Sequence, residues 1–332
     1  MTALELLAAF VLIIGGAIGF TNAVEWLGKR LNMDDGAVGA LLAAVGTALP
    51  ESVIPIVALL SGGGPEATEV AIGAIIGAPF LLGTLAMLLV VGAAHVYSGR
   101  REQGAEVRPD DRAVRRDLTW FCALIPVAIV LGVVGAPDGV RYAGAALLVI
   151  AYGFYVQRTL AKGGDADEEE EIAPLYFDWT RQDPPSTLQM VLQFAVSLAA
   201  IIGGAELFVG AVESIAEAAG VSALVLALVL APLATEMPEK ANSVLWVRRG
   251  KDALAMGNIT GAMTFQATIP VALGLAFTQW DLDKHAVLAG VIGLAGGALA
   301  RWAIPRHHVG LAPVAAWGAM FVGFVAYAVA SG

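Results

Sequence analysis

Two six-residue segments concentrate the groups able to do chemistry: Gly46-Thr-Ala-Leu-Pro-Glu51 and Ala234-Thr-Glu-Met-Pro-Glu239. Each sets a threonine four residues before a carboxylate, Thr47 before Glu51 and Thr235 before Glu239, so on a helix each pair shares one face. Each also carries a proline, which removes the N–H that would engage the carbonyl four residues back. The freed carbonyls are those of Gly46 and Ala234. Carbonyl, hydroxyl and carboxylate on one face make an all-oxygen half-site. Two such half-sites would build the hard-ligand shell that Ca²⁺ or Na⁺ prefers, with Glu51 and Glu239 as the expected metal contacts. Both segments lie inside long apolar runs, where an unpartnered carboxylate is costly. The bland alternative is a pair of proline-kinked helices whose glutamates cap neighbouring backbone.

The second segment brings two more charges. Glu236 and Lys240 are four apart in the Glu-first order that favours an ion pair. If they pair, Glu51 and Glu239 remain as the net charge open to a divalent ion. Lys240 could instead swing to Glu236 or Glu239 when the ion leaves, as a charge-compensating, proton-coupled switch, or point towards the interface. Gln266 is a further candidate ligand and Asn242 a weaker one, while Thr264 and Thr268 read as packing residues. Glu25, Glu206 and Glu213 fall towards span ends, where solvated or capping roles are expected. His95, His285, His307 and His308 all sit at span ends, so no histidine metal cluster forms mid-membrane. The lone Cys122 excludes an intrachain disulfide.

These residues need elements to hold them. The chain is 58% apolar with a mean hydropathy of +0.75, against about 45–50% apolar in soluble domains. Apolar runs long enough for a bilayer recur throughout. They predict ten spans, at roughly 2–27, 36–60, 68–97, 118–135, 141–160, 187–212, 221–247, 253–278, 286–304 and 309–331. No aspartate falls inside a predicted span core and no His-Glu-x-x-His occurs, so aspartyl or zinc intramembrane proteolysis lacks its residues and an enzyme is not expected. The one long polar stretch, 161–186, separates residues 1–160 from 187–332 and holds an acidic run, Asp165 to Glu171, read as a solvated, mobile linker. Sixteen of the 19 Lys and Arg residues fall in alternate loops or the span ends beside them, which predicts both termini outside and the linker in the cytoplasm of an inner-membrane protein. Trp26, Trp246 and Trp302 lie beside basic residues at span ends, as interfacial anchors do.

The chain also repeats itself. Gly15-Gly16, Glu25 and Pro50-Glu51 match Gly203-Gly204, Glu213 and Pro238-Glu239 at an offset of 188. The segment Gly73-Ala-Ile-Ile-Gly77-Ala78 matches Gly257-Asn-Ile-Thr-Gly261-Ala262 at 184. Five spans per unit is an odd number, so the second copy enters the membrane inverted. The expected fold is all-α and integral to the membrane, with ten helices in two inverted five-helix repeats and the site at their interface.

At these motifs the chain resembles the sodium/calcium exchanger superfamily, whose repeats contain Gly-Thr-Ser-Leu-Pro-Glu followed by Gly-Asn-x-x-Gly-Ser-Asn-x-x-Asn/Asp. The resemblance covers spans 1–3 and 6–8 by motif and the rest by topology. It implies Thr47, Glu51, Thr235 and Glu239 as cation ligands. The departures are Ala48 and Glu236 after the motif threonines, then Ala74, Ala78 and Leu82 in span 3, and Ala262 and Gln266 in span 8. Oxygens are thus lost from span 3, and a full family set of ion sites is not expected. The resemblance implies alternating-access antiport of a small cation, Ca²⁺ against Na⁺ or H⁺, with spans 1 and 6 shifting across a core of spans 2, 3, 7 and 8. Altered selectivity is the second reading and a non-transporting scaffold the third. The implied partners are the lipid bilayer and small cations, with no resident cofactor and no nucleic acid.

Overall fold

The structure, a computed structural model, describes residues 2–30, 51–60, 64–160, 173–179 and 184–331. Among these every regular element is helical: α1 (Thr2–Arg30), α2 (Glu51–Leu60), α3 (Gly64–Leu81), a π turn (Leu82–Ala86), α4 (Met87–Val96), α5 (Asp111–Val133), α6 (Asp138–Leu160), α7 (Thr187–Ala219), α8 (Ala223–Arg248), α9 (Asp252–Gln266), α10 (Ile269–Phe277), α11 (Lys284–Ala303) and α12 (Leu311–Ser331). Among the described residues, eight stretches are long and apolar enough to cross a membrane; Glu51–Leu60 and Ala223–Glu236 are shorter apolar helices at the places of the second and seventh predicted spans. Large apolar side chains such as Leu7, Val130, Ile150 and Val322 face outward, as a lipid-contacting surface requires.

The helix ends follow from local chemistry. Asp110 accepts from the N–H groups of Arg112 and Ala113 at the start of α5, and Ser186 with Gln189 forms a capping box on α7. Glu69 reaches across from α3 to accept from Ser222 Oγ at 2.8 Å and Leu224 N–H at 3.3 Å, closing the start of α8.

The repeat becomes a pseudo-two-fold axis. A Cβ placed on Gly16 would lie 2.8 Å from Ile201 Cγ1, and one on Gly204 would lie 2.9 Å from Ile13 Cγ1. Residues 13 and 16 become 201 and 204 at the offset of 188, so the contact between α1 and α7 is its own mirror image. Glycine is needed here because the helices approach too closely for any side chain. α7, at 33 residues, is about 50 Å long and so exceeds the hydrocarbon thickness.

α3 packs on α8 in the same intimate way. Gly73 lies against Ala227 and the Leu224 carbonyl, and Gly77 lies against the Leu228 carbonyl. Pro232 denies that Leu228 carbonyl its intrahelical donor, which leaves it exposed to the neighbouring glycine. α11 reaches the π turn through Gly293 and Gly296, both against Gly83.

Spans 3 and 8, each predicted as a single stretch, both depart from regular α-helix. The first widens into the π turn three residues after Pro79; the second parts between α9 and α10 at Ala267 and Thr268. The two faults coincide at the offset of 184, where Thr84 corresponds to Thr268. Each threonine donates back to the residue four earlier, Thr84 to the Phe80 carbonyl at 2.6 Å and Thr268 to the Thr264 carbonyl at 2.9 Å. Such back-bonding often bends a helix.

The Asp165–Glu171 run lies outside the described residues, but residues 173–179 dock on the bundle. Ala173 accepts from Asn22 Nδ2 at 2.9 Å and Trp26 Nε1 at 3.0 Å, Phe177 N–H donates to Gln193 Oε1 at 2.9 Å, and Leu175 is buried. Apolar residues at this end of the linker give it a surface to bury.

A second tie joins the halves. The Arg101 guanidinium donates to Asp252 Oδ2, the Val247 carbonyl and the Glu106 carbonyl, each at 2.7 Å. Both charged side chains are fully buried. Removing one partner of such a pair strands the other charge, so Arg101→Ala is expected to lower stability by about 3–5 kcal/mol. Unfolding in detergent measures it, and a loss below about 1 kcal/mol would show that the pair supports little.

Candidate cation site

Glu51 and Gln266 meet at the break. Gln266 is the last residue of α9 and Glu51 is the first described residue of α2, so the pair joins opposite repeats. Gln266 Nε2 donates to Glu51 Oε2. Both side chains are withdrawn from the surface, with Glu51 7% and Gln266 1% exposed. The C-terminal end of α9 turns the negative pole of its helix dipole towards this point, which favours a positive guest. Interrupted helices that end at a buried carboxylate are the usual frame of a mid-membrane ion site.

α8 supplies the second cluster, near its midpoint. Lys240 Nζ lies 2.7 Å from Glu236 Oε2, and the two side chains are 2% and 0% exposed. Of the three expectations for Lys240, the structure displays the ion pair. Thr235, also buried, donates to the Ala231 carbonyl at 3.2 Å, which leaves its oxygen lone pairs to accept or ligate. Ala234 is fully buried, and Pro238 leaves its carbonyl without a helix donor. Gly46 and Thr47 lie outside the described residues, as does the side chain of Glu239.

Other candidates are placed elsewhere. Asn258 Nδ2 donates to Ser243 Oγ at 3.1 Å, joining α9 to α8, and Asn242 faces outward. Leu82 is fully buried within the π turn, at the position Gln266 takes in the other repeat. Glu25 and Glu206 are exposed and Glu213 is half-buried. His285 bridges Asp283 Oδ2 at 2.7 Å and Ser331 Oγ at 3.0 Å. No group of three His, Cys, Asp or Glu side chains suited to a metal occurs among the described residues. At the span ends, Lys29 lies 5.3 Å over the Trp26 ring and Arg306 lies 4.2 Å over Trp302.

A buried acid of α5 also went unpredicted. α5 begins at Asp111, earlier than the apolar run, so Asp117 lies within the helix and is 2% exposed. Its Oδ1 accepts from Tyr155 Oη at 3.0 Å and Arg116 Nε at 2.9 Å, and its Oδ2 from Thr260 Oγ1 at 2.9 Å. Thr264 Oγ1 donates to the Asp117 carbonyl at 3.1 Å. The fourth span was predicted to start at 118, one residue after Asp117, because hydropathy alone placed the helix start too late. Asp117 latches α5 and α6 to α9, and its donors engage both oxygens. The spacing of Thr260 and Thr264 on one face of α9 was the available signal.

A family model described as sodium/calcium exchanger protein matches residues 2–160 and 190–331. “Putative antiporter CaxA” of Alkalimonas amylolytica is 24% identical over 282 residues, covering 84% of this chain and 82% of that protein. Inner membrane protein YrbG of Escherichia coli (strain K12) is 24% identical over 288 residues, covering 85% and 81%. The crystal structure of the H⁺/Ca²⁺ exchanger CAX superposes with a TM-score of 0.73 at 21% identity, covering 100% of this chain and 82% of that one. The sodium-calcium exchanger NCX_Mj gives 0.60 at 20% identity, covering 100% and 99%. Likeness at these identities speaks for the fold.

Proposed function

The chain belongs to the sodium/calcium exchanger family, and from that membership we propose that it exchanges Ca²⁺ for Na⁺ or H⁺ by alternating access. The family is one of multi-pass membrane transporters, which sets the chain apart from enzymes at a coarse level. The cation is substrate, held between Glu51 and Glu239 with Thr47, Thr235, Gln266 and the carbonyls of Gly46 and Ala234 as neutral oxygens. The observation that carries this reading is the buried Glu51 carboxylate, bridged to Gln266 of the opposite repeat where a helix breaks. A buried acid at a helix interruption invites a cation, and its contribution from both repeats gives each side of the membrane equivalent access to it.

The α1–α7 pair supports a moving part. Its mutual contact runs over small residues, and with α2 and the first turns of α3 and α8 it forms an apolar cluster separate from the main one. Sliding along glycine-lined seams would expose the site to one side and then the other. Both termini are placed outside, and the basic loops and the acidic linker in the cytoplasm.

A second reading, the same fold with altered selectivity, is favoured by the Glu236–Lys240 pair and by Leu82. Flux in vesicles with Ca²⁺, Na⁺, K⁺, Mg²⁺ and Mn²⁺ separates the two. Uptake of Ca²⁺ driven by an opposing Na⁺ or pH gradient is expected. Movement of another cation with Ca²⁺ excluded would replace the first reading by the second, and no flux of any ion would end both.

A further inference from the structure

We propose that the Lys240 ammonium is a tethered cation occupying a monovalent-cation subsite whose anion is Glu236. This rests on the exchanger reading and adds to it: one positive charge at the centre of α8 is covalently part of the protein and is never released.

The two repeats provide the first argument. At the offset of 188, Glu236 and Lys240 correspond to Ala48 and Ser52. The second repeat has therefore gained a negative and a positive group together, at positions where the first has none. A buried acid added alone would demand a counter-ion, and a buried lysine added alone would demand an acid. Added together, they leave the net charge of the segment unchanged.

The geometry provides the second. Lys240 is long enough to carry its ammonium towards a helix end, yet its side chain is 2% exposed and the nitrogen stays 2.7 Å from Glu236 Oε2. Glu236 is 0% exposed, so its counter-ion comes from within the bundle rather than from solvent. Glu236 is preceded by Thr235, whose hydroxyl is an oxygen donor of the kind sodium takes. Proline two residues on leaves the Ala234 carbonyl without its helix donor. Carboxylate, hydroxyl and carbonyl in consecutive residues are the ligand types that a hard cation takes, and the Lys240 ammonium stands against the carboxylate.

The consequence is a fixed limit on how many free cations the protein holds. A free monovalent ion competes for Glu236 against a ligand that cannot diffuse away, so wild-type protein binds free cations only through the remaining carboxylates. Taking the ammonium away reopens the subsite.

The test is equilibrium binding of ²²Na⁺ to purified full-length protein in detergent at pH 8, where protons compete least. Lys240→Met keeps the apolar stem and removes the charge. It is expected to bind one more Na⁺ per chain than wild type, and the added Glu236→Gln substitution is expected to abolish that gain. Melting of the Lys240→Met protein should shift upward in NaCl relative to choline chloride, with a smaller shift in wild type. Equal Na⁺ stoichiometry in wild type and Lys240→Met would overturn the proposal, as would a gain that persists with Glu236→Gln. Recovery of folded Lys240→Met protein in neither salt also overturns it, because sodium then fails to replace the ammonium. The readout does not depend on transport, so a protein that carries no ion across vesicles would refute the exchanger reading while leaving this result to be read by itself.

Discussion

Glu51→Gln is expected to weaken cation binding and slow exchange in vesicles by about 150- to 4,000-fold, with the helix bundle intact. The substitution isolates charge from shape. Glutamine has nearly the volume of glutamate, and its side-chain oxygen still accepts the hydrogen bond that Gln266 Nε2 now gives to Glu51. What disappears is one negative charge at a buried point where helices of both repeats meet. Removing one partner from a buried ionic contact costs about 3–5 kcal/mol, and every 1.4 kcal/mol is about tenfold in affinity. Glu239→Gln is expected to act in the same direction, since residues 51 and 239 are equivalent in the repeats. Radioactive Ca²⁺ uptake into vesicles under an opposing Na⁺ or pH gradient measures the loss, and melting in detergent controls for folding. Uptake within about twofold of wild type would remove Glu51 from the transport site.

The main architecture was legible because it is written as long-range sequence identity. The offsets of 188 and 184 are visible without any structure, and they reappear as the mirrored Gly16–Ile201 and Gly204–Ile13 contacts between α1 and α7. Family membership was legible from the two Pro-Glu motifs. The helix faults were not. Thr268 marks the break after α9, yet neither Ala267 nor Thr268 is a residue that hydropathy treats as a breaker. Pro79 lies inside a helix and is followed by a π turn, where the sequence pattern offered no more than a kink. The pairing of Gln266 with Glu51 joins residues 215 apart, and that of Arg101 with Asp252 joins residues 151 apart. Distances of that kind depend on packing, which composition and periodicity do not encode. Asp117 was missed for a simpler reason: a helix whose first turns are charged looks shorter to a hydropathy window than it is.

Gln266→Leu is expected to weaken the apparent affinity for the transported cation by about 10- to 150-fold and to change the maximal rate far less. Leucine is the residue at the equivalent position of the first repeat, where Leu82 is fully buried, so the fold accepts a branched alkyl group at this register. The loss is therefore read as chemistry. Gln266 does two things for the site. Its Nε2 holds Glu51 Oε2, which fixes the carboxylate, and its own carbonyl oxygen remains as a neutral ligand. A hydrogen bond to a charged group contributes about 1.5–3 kcal/mol, which sets the range given. The sign of the change matters more than its size. If Gln266 only competed with the cation for Glu51, its removal would tighten binding, because the carboxylate would lose its internal partner and gain nothing in return. Concentration dependence of uptake in wild type and Gln266→Leu decides between these. A lower half-saturating concentration in the variant would mean that Gln266 guards the empty site instead of building the filled one.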